Sequence, residues 1–478
     1  MSEKLRFMKN IGYSLLGQFF QQLLMVAFFI IVTRYLNKTE LGIYSYAVST
    51  VGLFIAVMDL GISTMAVREI ARDPSLSRTL MPQVVGIKTT VGFILTLAIC
   101  AASYFICPTP EAGSVLRLMS VVLFLSPILA PYIIVFNATE RLDLWAIVQV
   151  VSRLSMLVAL IAVIFLGYRV HGVIATQIFG IICVIAVVVY LTTRYYHPVG
   201  IGFNLGEWKS IMARAVPFAA MTLLWEIYYK IDQILIPYLD SLEGNGLYCI
   251  AFKYAFIFAG VPLAINAVVY PYFSRRSMES DAPVISGMRD IYRYIGIIGL
   301  GITVFSAVPA TEWVVLLSGI QYAEAGSALF ILSFCIPFMF YNSINISALY
   351  SYNRQYDVLR YSVVSISLNL LLDFILIPKM GYTGAAWATL ASSCTIFSLT
   401  FIRCAKFVGA RPLIGSFFGP AASAALAWTT LTLTSDYHLF LRIPAAAIVF
   451  IAALVITKSI RREDFDVIAE KLRGAKKQ

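Results

Sequence analysis

The chain has 478 residues, of which 60% are hydrophobic and only 13% charged, and its mean hydropathy is +0.84. Soluble domains carry about 25% charged residues, so this length is spent on membrane spans rather than on soluble domains. The formal net charge of +11 follows from membrane topology, as the distribution of lysine and arginine shows, and implies no nucleic-acid partner.

About fourteen apolar stretches are long enough, or nearly so, to supply the ~20 residues a bilayer requires. They cover, within a few residues, 11–33, 41–63, 82–106, 114–136, 145–167, 173–192, 214–239, 247–273, 291–317, 326–349, 359–377, 382–404, 414–434 and 440–459. Lys4, Arg6 and Lys9 precede the first stretch as in a signal peptide. Its apolar run is longer than the ~7–15 residues of a signal core and no small-residue cleavage site follows, so it is expected to be an uncleaved span. Stretch 82–106 has a polar start, and 291–317 contains Pro309 and Glu312. Between the sixth and seventh stretches, Asn204-Leu-Gly-Glu-Trp-Lys-Ser-Ile-Met-Ala-Arg214 predicts a short interfacial helix. Asn204 is its cap, and Leu205, Trp208, Ile211 and Met212 form its apolar face.

With alternating spans and a cytoplasmic N-terminus, nearly all lysine and arginine falls on the cytoplasmic side. The outer side holds only Arg34, Lys38, Arg117, Arg169, Lys379 and Arg442. Both termini are therefore expected in the cytoplasm. On this count Arg153, Lys230 and Lys253 are the cations left inside spans.

Landmarks recur in the same order. Gly42-Ile-Tyr44 returns as Gly246-Leu-Tyr248, Pro127 as Pro337, Arg141 and Ser152 as Arg354 and Ser365, and Gly172-Val-Ile-Ala-Thr as Gly384-Ala-Ala-Trp-Ala-Thr389. Two six-span units follow, and because six is even they are parallel repeats. The predicted fold is an all-α polytopic membrane protein. It has an N-lobe at 1–203, a C-lobe at 204–405, and two extra helices with a basic cytoplasmic tail at 406–478.

Chemistry narrows the function. No G-x-x-x-x-G-K-[ST] motif is present, so the chain contains no ATP-driven motor. The seven cysteines lie mostly in or beside spans without C-x-x-C, and the three histidines sit in separate loops. Neither a metal site nor a disulfide is expected. The one D-x-D, Asp464-Phe-Asp466, reads as a solvated helix end, and no outer loop is long enough for a catalytic domain. An enzyme is therefore not expected. What stands out is the cost of ionisable residues inside spans, roughly 2.5–3.5 kcal/mol each on insertion scales. Arg153, Lys230 and Lys253 are candidates to line a wet cavity and hold an anionic group such as a phosphate. The alternative is packing by local pairs, for which Glu226 and Lys230 have the i, i+4 spacing. Asp59, Glu226, Asp232 and Asp373 are candidates to balance those cations or to carry a coupling H⁺ or Na⁺. Asp59 can equally anchor a helix end. Asp232 faces away from Lys230 round the helix. Trp225, Tyr228 and Tyr229 could stack on sugar rings, though aromatic residues in such chains mostly face lipid.

Four stretches carry a family resemblance. They are Arg34-Tyr-Leu with Glu40-Leu-Gly-Ile-Tyr-Ser-Tyr-Ala47; Asp59-Leu-Gly-Ile-Ser running to Arg68-Glu-Ile-Ala-Arg72; Ile231-Asp-Gln-Ile-Leu-Ile with Gly246-Leu-Tyr and Ala251-Phe-Lys253; and Asn369-Leu-Leu-Leu-Asp-Phe-Ile-Leu-Ile-Pro378 with Gly384-Ala-Ala-Trp-Ala-Thr389. Over about residues 5–405 the chain resembles the polysaccharide-transporter branch of the MOP flippase superfamily, the Wzx-type O-antigen flippases. Asp373 departs from a position that is more often uncharged or Asn in that family. The resemblance implies a flippase for an oligosaccharide on polyprenyl pyrophosphate, serving surface polysaccharide synthesis by alternating access and driven by an ion gradient without a cofactor. It implies membrane lipid and a polysaccharide polymerase complex as partners. The rival readings are a multidrug or lipid II exporter of the same superfamily, and a membrane assembly protein without transport activity.

Overall fold

The computed structural model describes residues 20–195, 200–276 and 281–460, and these are helical apart from short turns. The basic N-terminal flank, the start of the first expected span, His197 and Asp464-Phe-Asp466 lie outside the described residues. By packing, the chain divides into two compact units, Met1–Cys249 and Ile250–Gln478. That division falls within a helix, whereas the sequence repeat divides near residue 203.

The first unit opens with α1 (Phe20–Tyr35), α2 (Lys38–Asp59), α3 (Ile62–Arg72) and, after a 3-10 turn, α4 (Ser77–Ala102). It continues with α5 (Pro110–Ala138), α6 (Leu142–Phe165), α7 (Val170–Tyr195), α8 (Leu205–Leu239) and the start of α9 (Leu242–Ala255). A capping box starts α2: the Asn37 side chain accepts from the Glu40 amide at 2.9 Å, and Glu40 accepts from the Asn37 amide at 3.0 Å. Arg169 then grips the Glu40 carboxylate through two bonds of 2.8 and 2.6 Å. The helix was expected to run to residue 63 but ends at Asp59. Leu60 (φ 41°) and Gly61 (φ 74°) are left-handed there, which a continuing helix of L-residues does not allow. The elbow that results sends α3 off in a new direction. Its Ile62, Met65, Ala66 and Ile70 pack on Leu80, Val84 and Ile87 of α4 and on Ile211 and Ala215 of α8.

The interfacial segment expected at 204–214 is the first part of α8. Asn204 caps it by accepting from the Gly206 and Glu207 amides. Trp208 and Ile211 turn into the unit, while Leu205 and Met212 stay exposed. The helix bends by 54° between Leu205–Ala220 and Thr222–Leu239, just beyond Pro217, whose ring removes a backbone hydrogen bond and crowds the preceding turn. Its second half lies along α2. The start of α9 meets α2 at two glycines: a Cβ on Gly42 would strike the Leu242 carbonyl, and one on Gly246 the Lys38 carbonyl. Lys38 and Leu242 stand in the same relation as Gly42 and Gly246, the first pair of repeat landmarks. Close backbone approach of this kind is how small residues pack helices in lipid.

The second unit holds the end of α9, a 3-10 turn at Phe256–Ala259, α10 (Gly260–Arg276), α11 (Asp281–Ala307), α12 (Ala310–Ser318) and α13 (Ala325–Ser333). It ends with α14 (Cys335–Ser351), α15 (Gln355–Met380), α16 (Tyr382–Val408), α17 (Ala410–Leu433) and α18 (Leu439–Ile456). Helices α15 and α16 form a tight hairpin, in which Ser365 donates to the Ser392 carbonyl at 2.8 Å. Helices α11, α17 and α18 share a core of Val304, Ala427, Leu431, Ala446 and Phe450.

Over the described residues, each expected span falls largely on helix. Among the described residues, 11 helices are long and apolar enough to cross a bilayer, or 12 with bent α8 as one span. The other two expected spans fall on α1 and α17. The stretch expected at 291–317 is corrected. The helix begins at Asp281 and stops at Ala307, because Pro309 cannot continue it. Glu312 belongs to α12 and accepts from Arg442 at 2.9 Å. Arg442 also donates to the Leu431 carbonyl at 3.0 Å, satisfying the open end of α17.

The elbow at Gly61 is close-packed as well as left-handed, since a Cβ there would lie 2.6 Å from the Ala219 amide nitrogen of α8. Gly61→Ala is expected to cost about 1–3 kcal/mol through the left-handed backbone and this clash. Thermal unfolding of the purified protein in detergent should show a lower midpoint than wild type.

Candidate functional site

Two helix faces make a polar strip inside the first unit. On α2, Ser45, Ser49 and Gly52 follow at i, i+4 and i+7; on α8, Glu226, Lys230 and Gln233 do the same, so each set lies on one face. The faces meet. Ser45 and Ser49 both donate to the Gln233 side-chain oxygen, at 2.6 and 3.0 Å. The Lys230 ammonium lies against Gly52, where a Cβ would collide with it. Glycine at 52 thus makes room for a cation between spans. Lys230 also pairs with Glu226 at 3.3 Å, with side chains 25% and 38% exposed. This is the i, i+4 bridge that the spacing predicts, and it leaves the ammonium partly open to a further ligand. Beside it Trp225 stacks on Tyr229 at 5.6 Å between ring centroids.

Arg153 approaches the same helix near Tyr44, off the strip's face. It sits on α6, half-buried, in electrostatic contact with Tyr44 of α2. Tyr44 accepts from Gln177 of α7 at 3.1 Å. The Arg153 guanidinium reaches the Met156 sulfur at 3.8 Å, and its buried Nε has no hydrogen-bond partner among the described residues. A guanidinium carries five donors and cannot be neutralised by losing a proton at ordinary pH. This one therefore keeps both its charge and unused donors inside the protein. Tyr44 and Gly52 are separated by about 12 Å along α2 at 1.5 Å per residue, and Tyr44 lies off the Ser45–Ser49–Gly52 face, so Arg153 and Lys230 meet α2 at different levels and on different faces.

The other sequence candidates divide. Asp232 is buried and accepts from the Tyr248 hydroxyl, in keeping with its turning away from Lys230. Asp59 has the role of a helix-end anchor, pairing with the Lys88 ammonium at 2.5 Å while Ser63 donates to the same carboxylate oxygen at 2.5 Å. Lys253 and Asp373 fall in the second unit. Lys253 is half-buried on α9, and Asp373 is fully buried on α15 one turn beyond buried Asn369.

Lys88 corrects the sequence count of cations within spans. Its side chain is 4% exposed, whereas the sequence count places it, at the polar start of stretch 82–106, with the cytoplasmic cations. Helix α4 starts at Ser77 rather than near residue 82, which puts Lys88 roughly 16 Å into the helix. The i, i+4 pair Asp59 and Ser63, spanning a Leu-Gly break, was the available signal for its partner. The Ser45–Ser49–Gln233 cluster was missed for a different reason. Serine and glutamine in a span are unremarkable until a facing helix is known.

The strip and its helices define a multi-pass helical membrane protein built like solved transporters. The fold matches the structure of lipid II flippase MurJ in an inward closed conformation with a TM-score of 0.77, at 15% identity over 95% of this chain and 99% of that one. It matches the inward-facing conformation of a multidrug resistance MATE family transporter of the MOP superfamily at 0.66, with 13% identity over 81% and 95%. A family model described as polysaccharide biosynthesis protein matches residues 7–277, and the chain belongs to that family. It is 21% identical over 385 residues to the capsular polysaccharide biosynthesis protein CapF of Staphylococcus aureus, covering 79% of this chain and 94% of that protein. It is 29% identical over 223 residues to the probable flippase AglR of Haloferax volcanii, covering 43% and 44%. Similarity to the uncharacterized membrane protein MJ1068 of Methanocaldococcus jannaschii is 27% over 161 residues and spans only 32% of that protein.

Removing one partner of a buried ion pair strands the other charge, at about 3–5 kcal/mol. Lys88→Met and Asp59→Asn should therefore each destabilise the protein, Lys88→Met by that order, and the Asp59→Asn, Lys88→Met double variant should recover most of the loss. A double-mutant cycle on thermal or denaturant unfolding measures the coupling, which additive losses would refute.

Proposed function

We propose that this protein is a flippase that carries a polyprenyl-pyrophosphate-linked oligosaccharide across the bacterial cytoplasmic membrane for surface polysaccharide synthesis. The observation that carries this reading is Arg153, a permanent cation with an unused buried donor on a membrane-spanning helix of the unit whose polar strip presents Lys230. Cations so placed are costly unless they face one another or a wet path, and a diphosphate is a ligand that matches them. The polyprenyl chain can stay in lipid while the sugar head passes through the polar interior. The family and the relative CapF support polysaccharide as the cargo class, and the probable flippase AglR supports the transport step.

In this reading Lys253, in the second unit, is assigned a substrate contact of its own, and transport proceeds by alternating access. An H⁺ or Na⁺ gradient supplies the energy. Asp232 and Asp373, both buried, are the carboxylates we assign to coupling, with Glu226 balancing Lys230. Both termini face the cytoplasm, and a polysaccharide polymerase complex consumes the flipped product. The cationic strip speaks against a multidrug exporter, because lipophilic cations are better received by acidic walls. A lipid II exporter would use the same cation chemistry, and the cell-wall phenotype separates the two.

Deleting the gene should make lipid-linked oligosaccharide accumulate on the inner leaflet and abolish surface polysaccharide, with peptidoglycan synthesis intact. Loss of peptidoglycan synthesis instead would favour the lipid II reading. In complementation, Arg153→Ala and Lys230→Ala should each lower surface polysaccharide at least tenfold while membrane insertion is retained, and Lys230→Arg should keep part of the activity. Normal surface polysaccharide in the triple Arg153→Ala, Lys230→Ala, Lys253→Ala variant would refute the cationic site. Asp373→Asn should remove the dependence of transport on the ion gradient.

A further inference from the structure

At one end of the second unit, the α14–α15 and α16–α17 turns come together around a single aromatic stack. Tyr352 lies on Phe407 with ring centroids 5.0 Å apart and planes 12° from parallel. Two guanidinium groups flank the same Phe407 ring, Arg354 at 5.7 Å and Arg403 at 5.4 Å. Arg403 is held in place by Asp357 at 2.8 Å. Asp357 is the one acid in the two turns and the helix ends they join, while Arg360, Lys406 and Arg411 are further cations there. All three are exposed, and none has an acidic partner among the described residues. Arg360 lies one turn beyond Asp357 on the same side of α15. The result is a dense, uncompensated positive surface, ordered by an aromatic stack and one ion pair.

Apolar side chains continue this surface along the helices. On α17, Arg411 is followed at i+3 and i+7 by Ile414 and Phe418, both exposed. On α16, exposed Ile402 precedes Lys406 by one turn. Each helix therefore presents a cation at its end and an open apolar stripe running away from it. That arrangement has the layout of a phospholipid, with charge at the headgroup level and hydrocarbon below. A free phosphate would need only the cations, and a soluble acidic protein would find no use for the apolar stripes beneath them.

We propose that this surface binds an anionic phospholipid, whose phosphate sits among Arg354, Lys406 and Arg411 and whose acyl chains lie on Ile414, Phe418 and Ile402. Arg403, already engaged with Asp357, positions the aromatic stack rather than the lipid. The site is independent of Arg153 and Lys230 and does not rest on the identity of the transported cargo.

The test uses the full-length protein in neutral detergent, titrated with phosphatidylglycerol or phosphatidylcholine, with bound lipid counted by native mass spectrometry and stability read as the melting midpoint. Phosphatidylglycerol should be retained and should raise the midpoint more than phosphatidylcholine does. Arg354→Gln, Lys406→Gln and Arg411→Gln should each weaken its apparent affinity about fivefold, with the midpoint in phosphatidylcholine unchanged. Should Arg354→Gln fail to fold, the Lys406→Gln and Arg411→Gln variants keep the test open, because both side chains are exposed. Removing Arg72 and Arg78 from the first unit should leave the effect in place. The proposal is overturned if the variants respond to phosphatidylglycerol like wild type, if the Arg72 and Arg78 variant loses the effect equally, or if inorganic phosphate raises the midpoint as much as the lipid does.

Discussion

In the bilayer, a polar group carried by a helix must be matched from within the protein, because lipid offers it no partner. Helix α2 shows how far this constraint reaches. Its start is closed by Asn37 and Glu40, its middle presents Ser45 and Ser49 to Gln233, and its end delivers Asp59 to Lys88. Glu40 in turn holds Arg169, and Tyr44 holds Gln177. Helices α4, α7 and α8 are thus each tied to α2 by at least one polar contact as well as by packing. Arg153 of α6 and Thr50 of α2 each keep a buried donor unmatched among the described residues, and of the two only Arg153 carries a permanent charge, which is why we propose an external ligand for it.

The same constraint governs where the backbone departs from helix. A break exposes amides and carbonyls that something must satisfy. The Leu60-Gly61 elbow does so within a turn, through the Leu60 amide to the Ala56 carbonyl, and its glycine lets α8 approach closely. At the end of α17, Arg442 reaches the Leu431 carbonyl while keeping Glu312 as counter-ion. Breaks at Pro217 and Pro309 are likewise taken up by a bend and by a new short helix. These departures set the direction of α3, α8 and α12, and so decide which side chains face one another.

Much of this was legible before any coordinates. Apolar runs of bilayer length can hardly be anything other than helices, so their positions follow from composition. The Glu226–Lys230 bridge is a local i, i+4 relation that needs no tertiary partner. Asp59 as a helix-end anchor and the separation of Asp232 from Lys230 could also be inferred, because a break and a helical angle are local properties. Lys88, at the polar start of its stretch, could not be placed, because its burial depends on Asp59 and Ser63 of another segment meeting it. Hydropathy averages over a window and blurs helix starts that carry polar residues.

The sequence by itself determined the class of molecule: a many-span helical membrane protein with repeated landmarks, basic loops and a few expensive charges within spans. Those are consequences of short-range chemistry, since hydrophobicity, helix spacing and proline act within a few residues. Only the tertiary structure decided which of the charges had partners. Whether Lys88 meets Asp59, whether Gln233 meets two serines and whether Arg153 keeps a free donor each depends on which helices are neighbours and how they are rotated. Lipid imposes no preference among apolar faces. That choice rests on close contacts such as Gly42 with Leu242, Gly61 with Ala219 and Gly52 with Lys230, which join residues far apart in the chain and leave no local trace in it.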